Sequence, residues 1–257
     1  MSQEHTHSTG PTAETTDTGG WTTAPGPAFW REHTQISLSP VAPPSILGLF
    51  GLAAATFMVS ANLAGWFGTN GSPLVLFPFA MLFGGLAQFL AGMWAFRARD
   101  GLATALHGTW GSFWLAYGTY MLLVVTVGLP APTASPIAQV AFGYWFIVLA
   151  AITWAGAAAA VAENMALTAV LTTLAAGSTL LAIGWVASLT VLVPIGAIVL
   201  VASAVIAYYT AAAMMLHGTF GRTVLPLGKP RRLAGAGAET EQALGREFEE
   251  PGVKHGQ

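Results

Sequence analysis

The polar side chains in the middle of this chain that could do chemistry are small and neutral. Its apolar stretches carry Thr56, Ser60, Asn62, Gln88 and Ser112, with further Ser and Thr, but no Asp, Glu, Lys or Arg. Most such hydroxyls bond back to the carbonyls of their own helix. Gln88 differs: its side chain both donates and accepts, so in hydrocarbon it must face a partner helix or water. Thr56, Ser60, Asn62, Gln88 and Ser112 are the groups expected to line a polar path. The histidines near an apolar stretch are His107 and His217, at cytoplasmic ends. They could hold a haem only if they met across the bundle, and an interfacial histidine is more often simply solvated. No buried carboxylate is available for ion pumping. With no cysteine, thiolate nucleophiles, disulfides and Cys-ligated metals are excluded. No catalytic residue, cofactor or metal site is expected, and no enzyme.

The elements around these groups follow from composition. The chain has 257 residues, 54% hydrophobic and only 8% charged, with a mean hydropathy of +0.62. A soluble domain carries about 25% charged residues, so a water-facing globule could not cover itself with so few. Four charges fall between Ser45 and Leu216, namely Arg97, Arg99, Asp100 and Glu163, and all others lie toward the ends. This distribution excludes a soluble enzyme, a disordered protein and a nucleic-acid binder, which would need a basic patch. Residues 1–43 are rich in Thr, Gly, Pro and Ser and are expected to form a disordered cytoplasmic tail. They show neither a basic n-region nor an apolar h-region, so no signal peptide is expected. Residues 229–257 are expected to form a second disordered cytoplasmic tail.

Six apolar segments lie between the tails, at about 45–62, 73–96, 103–128, 137–160, 165–188 and 192–216. Each approaches the roughly 20 residues a helix needs to cross a bilayer. They are apolar on all faces, unlike the alternating strands of a membrane barrel. The expected fold is therefore an all-α integral membrane protein, a compact six-helix domain over 44–228. Arg97 and Arg99 lie in the loop after the second segment, and Arg222, Lys229, Arg231 and Arg232 follow the sixth. With six spans these share one side with Arg31, which sets both termini in the cytoplasm of a multi-pass plasma-membrane protein. Small residues such as Gly48, Gly51, Gly84, Gly85, Ala91 and Gly92 let helices approach closely. Trp66, Trp94, Trp145 and Trp185 sit near predicted ends, as interfacial anchors do. Trp110, Phe113 and Trp114 lie deeper and could narrow a path. From residues alone, a channel or facilitator for a small solute is the class that fits.

Three stretches carry a family resemblance. They are Phe83-Gly84-Gly85-Leu86-Ala87-Gln88-Phe89-Leu90-Ala91-Gly92-Met93, Gly111-Ser112-Phe113-Trp114, and Phe220-Gly221-Arg222-Thr223-Val224-Leu225-Pro226-Leu227-Gly228. In this order they resemble the acetate uptake transporter family, which includes bacterial succinate–acetate permeases and fungal acetate transporters. The opening motif of the family's first helix is partly kept, with Pro44, Leu47, Gly48 and Leu49 matching, while Pro43 and Ile46 depart from it. A proline-started helix end leaves free N–H groups that suit a carboxylate.

The resemblance implies six spans around a path in each protomer, a homo-hexamer embedded in membrane lipid, and transport of acetate, related short carboxylates or succinate with protons. It implies an apolar constriction at Leu52, Trp110 and Leu174, where Leu52 replaces the usual Phe and Trp110 the usual Tyr. Such a constriction gates by dewetting and steric fit. Family acids are replaced by Ala95, Met214 and Gly218, and a family Arg by Met165. His107 or His217 is then a candidate substitute proton site. Arg222 is expected to pair with Glu163, cap the last helix or anchor to lipid phosphate, or else to attract carboxylates at the cytoplasmic mouth. Two other readings stay open: a channel for urea, amides or another small neutral solute, and a non-transporting sensor or scaffold.

Overall fold

The computed structural model describes residues 41–68, 72–131 and 134–228. The predicted tails, with Arg31, Lys229, Arg231 and Arg232, lie outside these residues. Among the described residues six helices are long and apolar enough to cross a membrane. Helix α1 is Ser45–Leu63. Helix α2 is composite: α-helical over Ser72–Phe79, π-helical over Ala80–Ala87 and α-helical again over Gln88–Ala98. Then come α3 (Gly101–Val127), α4 (Pro136–Ala160), α5 (Met165–Val186) and α6 (Leu192–Phe220). The all-helical, six-span expectation is borne out.

Local chemistry sets the helix ends. Asp100, Ser135 and Asn164 each accept a hydrogen bond from the backbone N–H three residues on, the usual N-cap arrangement. Pro136 follows its cap at the first helical position, where a missing N–H costs nothing. Gly128 and Gly221 end α3 and α6 in the left-handed conformation that glycine tolerates. Within α2, Pro78 cannot donate to the ladder, and the π-helical turn follows two residues later.

Sequential helices pack as neighbours, and α6 closes back on α1. Glycines permit the closest approaches. A Cβ on Gly51 would fall 2.5 Å from the carbonyl oxygen of Phe83, and one on Gly92 would fall 2.6 Å from the Gly108 nitrogen. In a membrane such contacts replace the hydrophobic effect as the force joining helices. The α3–α4 contact is the least extensive between sequential spans. Aromatic side chains from both helices fill that seam.

The C-terminal motif folds back on the bundle. Met165 N–H donates to the Gly228 carbonyl at 2.6 Å and Ala166 N–H to the Leu227 carbonyl at 2.9 Å. Tyr209 Oη donates to the Pro226 carbonyl at 2.7 Å. The first turn of α5 has N–H groups with no partner inside the helix. The strap and the Asn164 side chain satisfy them.

A candidate carboxylate path

A cavity of about 550 Å³ lies inside the bundle. It is reached past Gly65, Phe67, Gly68 and Ala131, on the side of the loops joining α1 to α2 and α3 to α4. It runs inward to Trp110 and Leu200. No lining residue is charged.

Three of the five expected path residues line it: Thr56, Ser60 and Asn62. Thr56 and Ser60 are buried. Asn62 stands at the rim, where its Nδ2 donates to the Phe67 carbonyl at 2.9 Å and ties down the turn after α1. Gly68 closes that turn at φ +145°, and a Cβ there would strike the Asn62 amide. The other two lie elsewhere. Ser112 is exposed and donates to the Gly108 carbonyl at 2.8 Å, which occupies it within its own helix. Gln88 is 1% exposed beside Gly51, with its Oε1 unpartnered, but it does not line the cavity.

The walls are aromatic. Phe113, Trp114, Tyr117, Phe142, Trp185 and Phe146 form a closed circuit of ring contacts, with neighbouring centroids 5.1–6.3 Å apart. Most meet edge to face, the geometry ring quadrupoles prefer. All six line the cavity. Trp185 is thus a correction: expected as an interfacial anchor, it is buried and part of the wall. Trp66, Trp94 and Trp145 are exposed, in keeping with an anchoring position. The α4 members of the circuit, Phe142 and Phe146, were not anticipated. Their four-residue spacing was the available signal, because it places both rings on one helix face.

Below this belt the cavity stops at Trp110. Its Nε1 donates to Thr153 Oγ1 at 3.0 Å, and that hydroxyl donates in turn to the Leu149 carbonyl at 2.6 Å. The chain of bonds holds the indole in place across α3 and α4. Leu52 and Leu174 are buried in the same core cluster as Trp110 but do not line the cavity.

At the other end of the bundle Pro44 caps α1, Leu47 is exposed, and Gly48 and Leu49 are buried. Gly48 is covered by the imidazole of His107, three of whose atoms would lie within 2.6 Å of a Cβ there. His107 is therefore buried, not solvated, and its Nδ1 has no partner. His217 and Arg222 are exposed. Ala95 is fully buried, Met214 is partly buried against the core and Gly218 is exposed. Two carboxylates stand near one another in the loops of this end. Burial pushes the Asp100 carboxyl up, against the pull of the Ala103 and Leu102 N–H groups. Burial and then the Asp100 charge push Glu163 up.

Known proteins resemble the chain over most of this architecture. The model of the GPR1/FUN34/yaaH family matches residues 26–227. The succinate-acetate/proton symporter SatP of Escherichia coli strain K12 is 27% identical over 192 residues, 74% of this chain and 96% of that protein. The ammonia transport outward protein 2 of Saccharomyces cerevisiae is 36% identical over 75 residues, 29% of this chain and 26% of that protein. The solved structure of the bacterial acetate channel SatP superimposes with a TM-score of 0.66 at 26% identity, covering 74% of this chain and all of that one.

Proposed function

The chain belongs to the GPR1/FUN34/yaaH family, and from that premise we propose that it is a membrane transporter or channel for acetate and related short-chain carboxylates, working with protons. The observation that carries this reading is the uncharged cavity ending on a tryptophan plug, in a chain similar to SatP along nearly all of that protein's length. The same coverage disfavours the neutral-solute and scaffold readings.

The cavity chemistry supports proton linkage. An isolated carboxylate in a low-dielectric site without a counter-charge pays a large desolvation cost. No cation lines the cavity. The solute therefore passes Trp110 as the neutral acid or together with a proton, and transport is electroneutral. Hydroxyls and amides at Thr56, Ser60 and Asn62 replace part of its hydration at the mouth. Leu52, Trp110 and Leu174 act as the constriction, which opens when the indole moves off its bond to Thr153. The path leaves beside Gln88 and the first turn of α1, where Pro44 and Gly48 stand, with His107 as the proton-responsive group. His217 and Arg222 sit at the mouth.

We place the protein in the plasma membrane as a homo-hexamer of non-enzymatic protomers, with a 44–228 transport domain and both termini cytoplasmic. Uptake of labelled acetate into proteoliposomes, with and without an imposed pH gradient, tests the function. Acetate flux that rises with an inward proton gradient is expected. Absence of flux under both conditions would refute it.

A further inference from the structure

We propose that this site selects monocarboxylates carrying a ring or a branched apolar tail, and that it disfavours dicarboxylates. The inference rests on the transport reading above and names the substrate class of the same site.

Three observations carry it. First, the cavity of about 550 Å³ corresponds to about eighteen waters at their liquid volume. Acetate would fill a small part of it. Second, the wall facing that space is the closed circuit of six aromatic rings, drawn from α3, α4 and α5. A ring or branched tail gains there both by leaving water and by edge-to-face contact. Third, the buried polar groups without partners on the lining are one hydroxyl and one indole N–H, Thr56 Oγ1 and Trp114 Nε1.

Among the buried threonines of this bundle Thr56 is the exception. Thr119, Thr126, Thr153, Thr173 and Thr210 all bond back to a carbonyl one turn earlier. The Thr56 hydroxyl does not, although it is 2% exposed. Ala55 and the Trp114 indole both lie within 2.6 Å of where a Cβ on Gly84 would stand. Ala55, the residue before Thr56, therefore packs near the Trp114 ring across Gly84, and Thr56 and Trp114 both line the cavity. These two neutral donors on the lining suit one carboxyl group. A second carboxylate would enter a cavity with no cation to pair it, which carries the cost of burying an unpaired charge.

The test uses the full chain in two formats. In proteoliposomes, benzoate, pivalate, propionate and succinate compete against labelled acetate, with flux corrected by protein-free vesicles. In detergent, labelled benzoate binding is measured directly. Benzoate and pivalate should compete about tenfold better than acetate itself, and succinate worse than acetate. Trp185→Leu and Phe146→Leu should each lower the benzoate-to-acetate ratio. The ratio is read in one preparation, so loss of folded protein cancels. Succinate competing as well as benzoate, or an unchanged ratio in both variants, overturns the inference while acetate flux leaves the transport reading intact. Saturable benzoate binding without any acetate flux has the opposite meaning: the apolar-tail site stands and transport falls. If neither binding nor flux is seen, both are overturned.

Discussion

The imidazole of His107 on α3 covers the backbone of α1 at Gly48, so closely that a Cβ on Gly48 would lie 2.5 Å from the ring. A small residue is required because another helix's side chain occupies the space where its own would go. Gly48→Ala should destabilise the protein by about 1–3 kcal/mol through overpacking. His107→Ala in the same chain should restore most of the loss, and a double-mutant cycle on thermal unfolding in detergent measures the coupling. Additive effects would mean that the two residues do not share this space.

His107 is also buried with an unpartnered ring nitrogen, whereas His217 is exposed. Neither α1 nor α3 carries a charged side chain, and the one on α2, Arg97, is exposed near the helix end. His107→Gln should flatten the dependence of acetate uptake on external pH, and His217→Gln should leave that dependence as it is. The measurement is initial uptake rate against external pH. An unchanged profile in a His107→Gln/His217→Gln protein would remove histidine from the proton path.

The Trp110–Thr153 bond fixes the floor of the cavity. Thr153→Val keeps the volume but leaves the indole N–H unpaired, at a cost of about 1–3 kcal/mol. Acetate flux should rise as the plug loosens and the melting temperature should fall. Vesicle uptake and thermal unfolding, measured side by side, check the two effects together.

Asp100 and Glu163 both have raised carboxyl pKa values, through burial and, for Glu163, through the Asp100 charge as well. The folded state therefore binds protons more tightly than the unfolded chain. Stability falls as pH rises from the unfolded pKa through the folded one, and the penalty is fully present at neutral pH. Glu163→Gln should raise the melting temperature at pH 7 and leave it nearly unchanged at pH 4. Asp100→Asn should act in the same direction, since Asn retains an oxygen for the Ala103 N–H. Both effects are modest because the groups are part-exposed. A melting curve series from pH 4 to 8 decides the sign.

The strap at Pro226–Gly228 gives a further prediction. Tyr209→Phe removes the bond to the Pro226 carbonyl and should cost about 1 kcal/mol. A chain ending at Pro226 loses the carbonyls that receive Met165 and Ala166 N–H. It should unfold at a lower temperature than a chain ending at Gly228. Equal melting temperatures would show that the strap is not needed to hold α5.

Much of this arrangement could be read from residue types. An apolar run of sufficient length forms a span whatever its partners, so all six spans were legible. The caps at Asp100, Ser135 and Asn164 and the glycines at 128 and 221 account for the small shifts in their ends. The π-helical stretch over Ala80–Ala87 was not legible, because Pro78 announces a disturbance and not its form. Thr56, Ser60 and Asn62 were chosen as polar groups in hydrocarbon, and the cavity contains them. Ser112 met the same criterion, yet its hydroxyl is spent on Gly108. Type alone does not tell which way a helical side chain faces. Trp185 was misplaced for a related reason: closeness to a helix end in sequence does not reveal that α4 brings Phe142 and Phe146 against it.

The strap also bears on biogenesis. The first turn of α5 receives its last backbone partners from Leu227 and Gly228, more than sixty residues downstream. During synthesis those N–H groups must wait until α6 has entered the bilayer and the chain beyond it has emerged. The α4–α5 hairpin can insert early, but it is completed only after α6. A nascent chain stalled within α6 would hold five spans with one exposed helix start, a recognisable mark for membrane quality control.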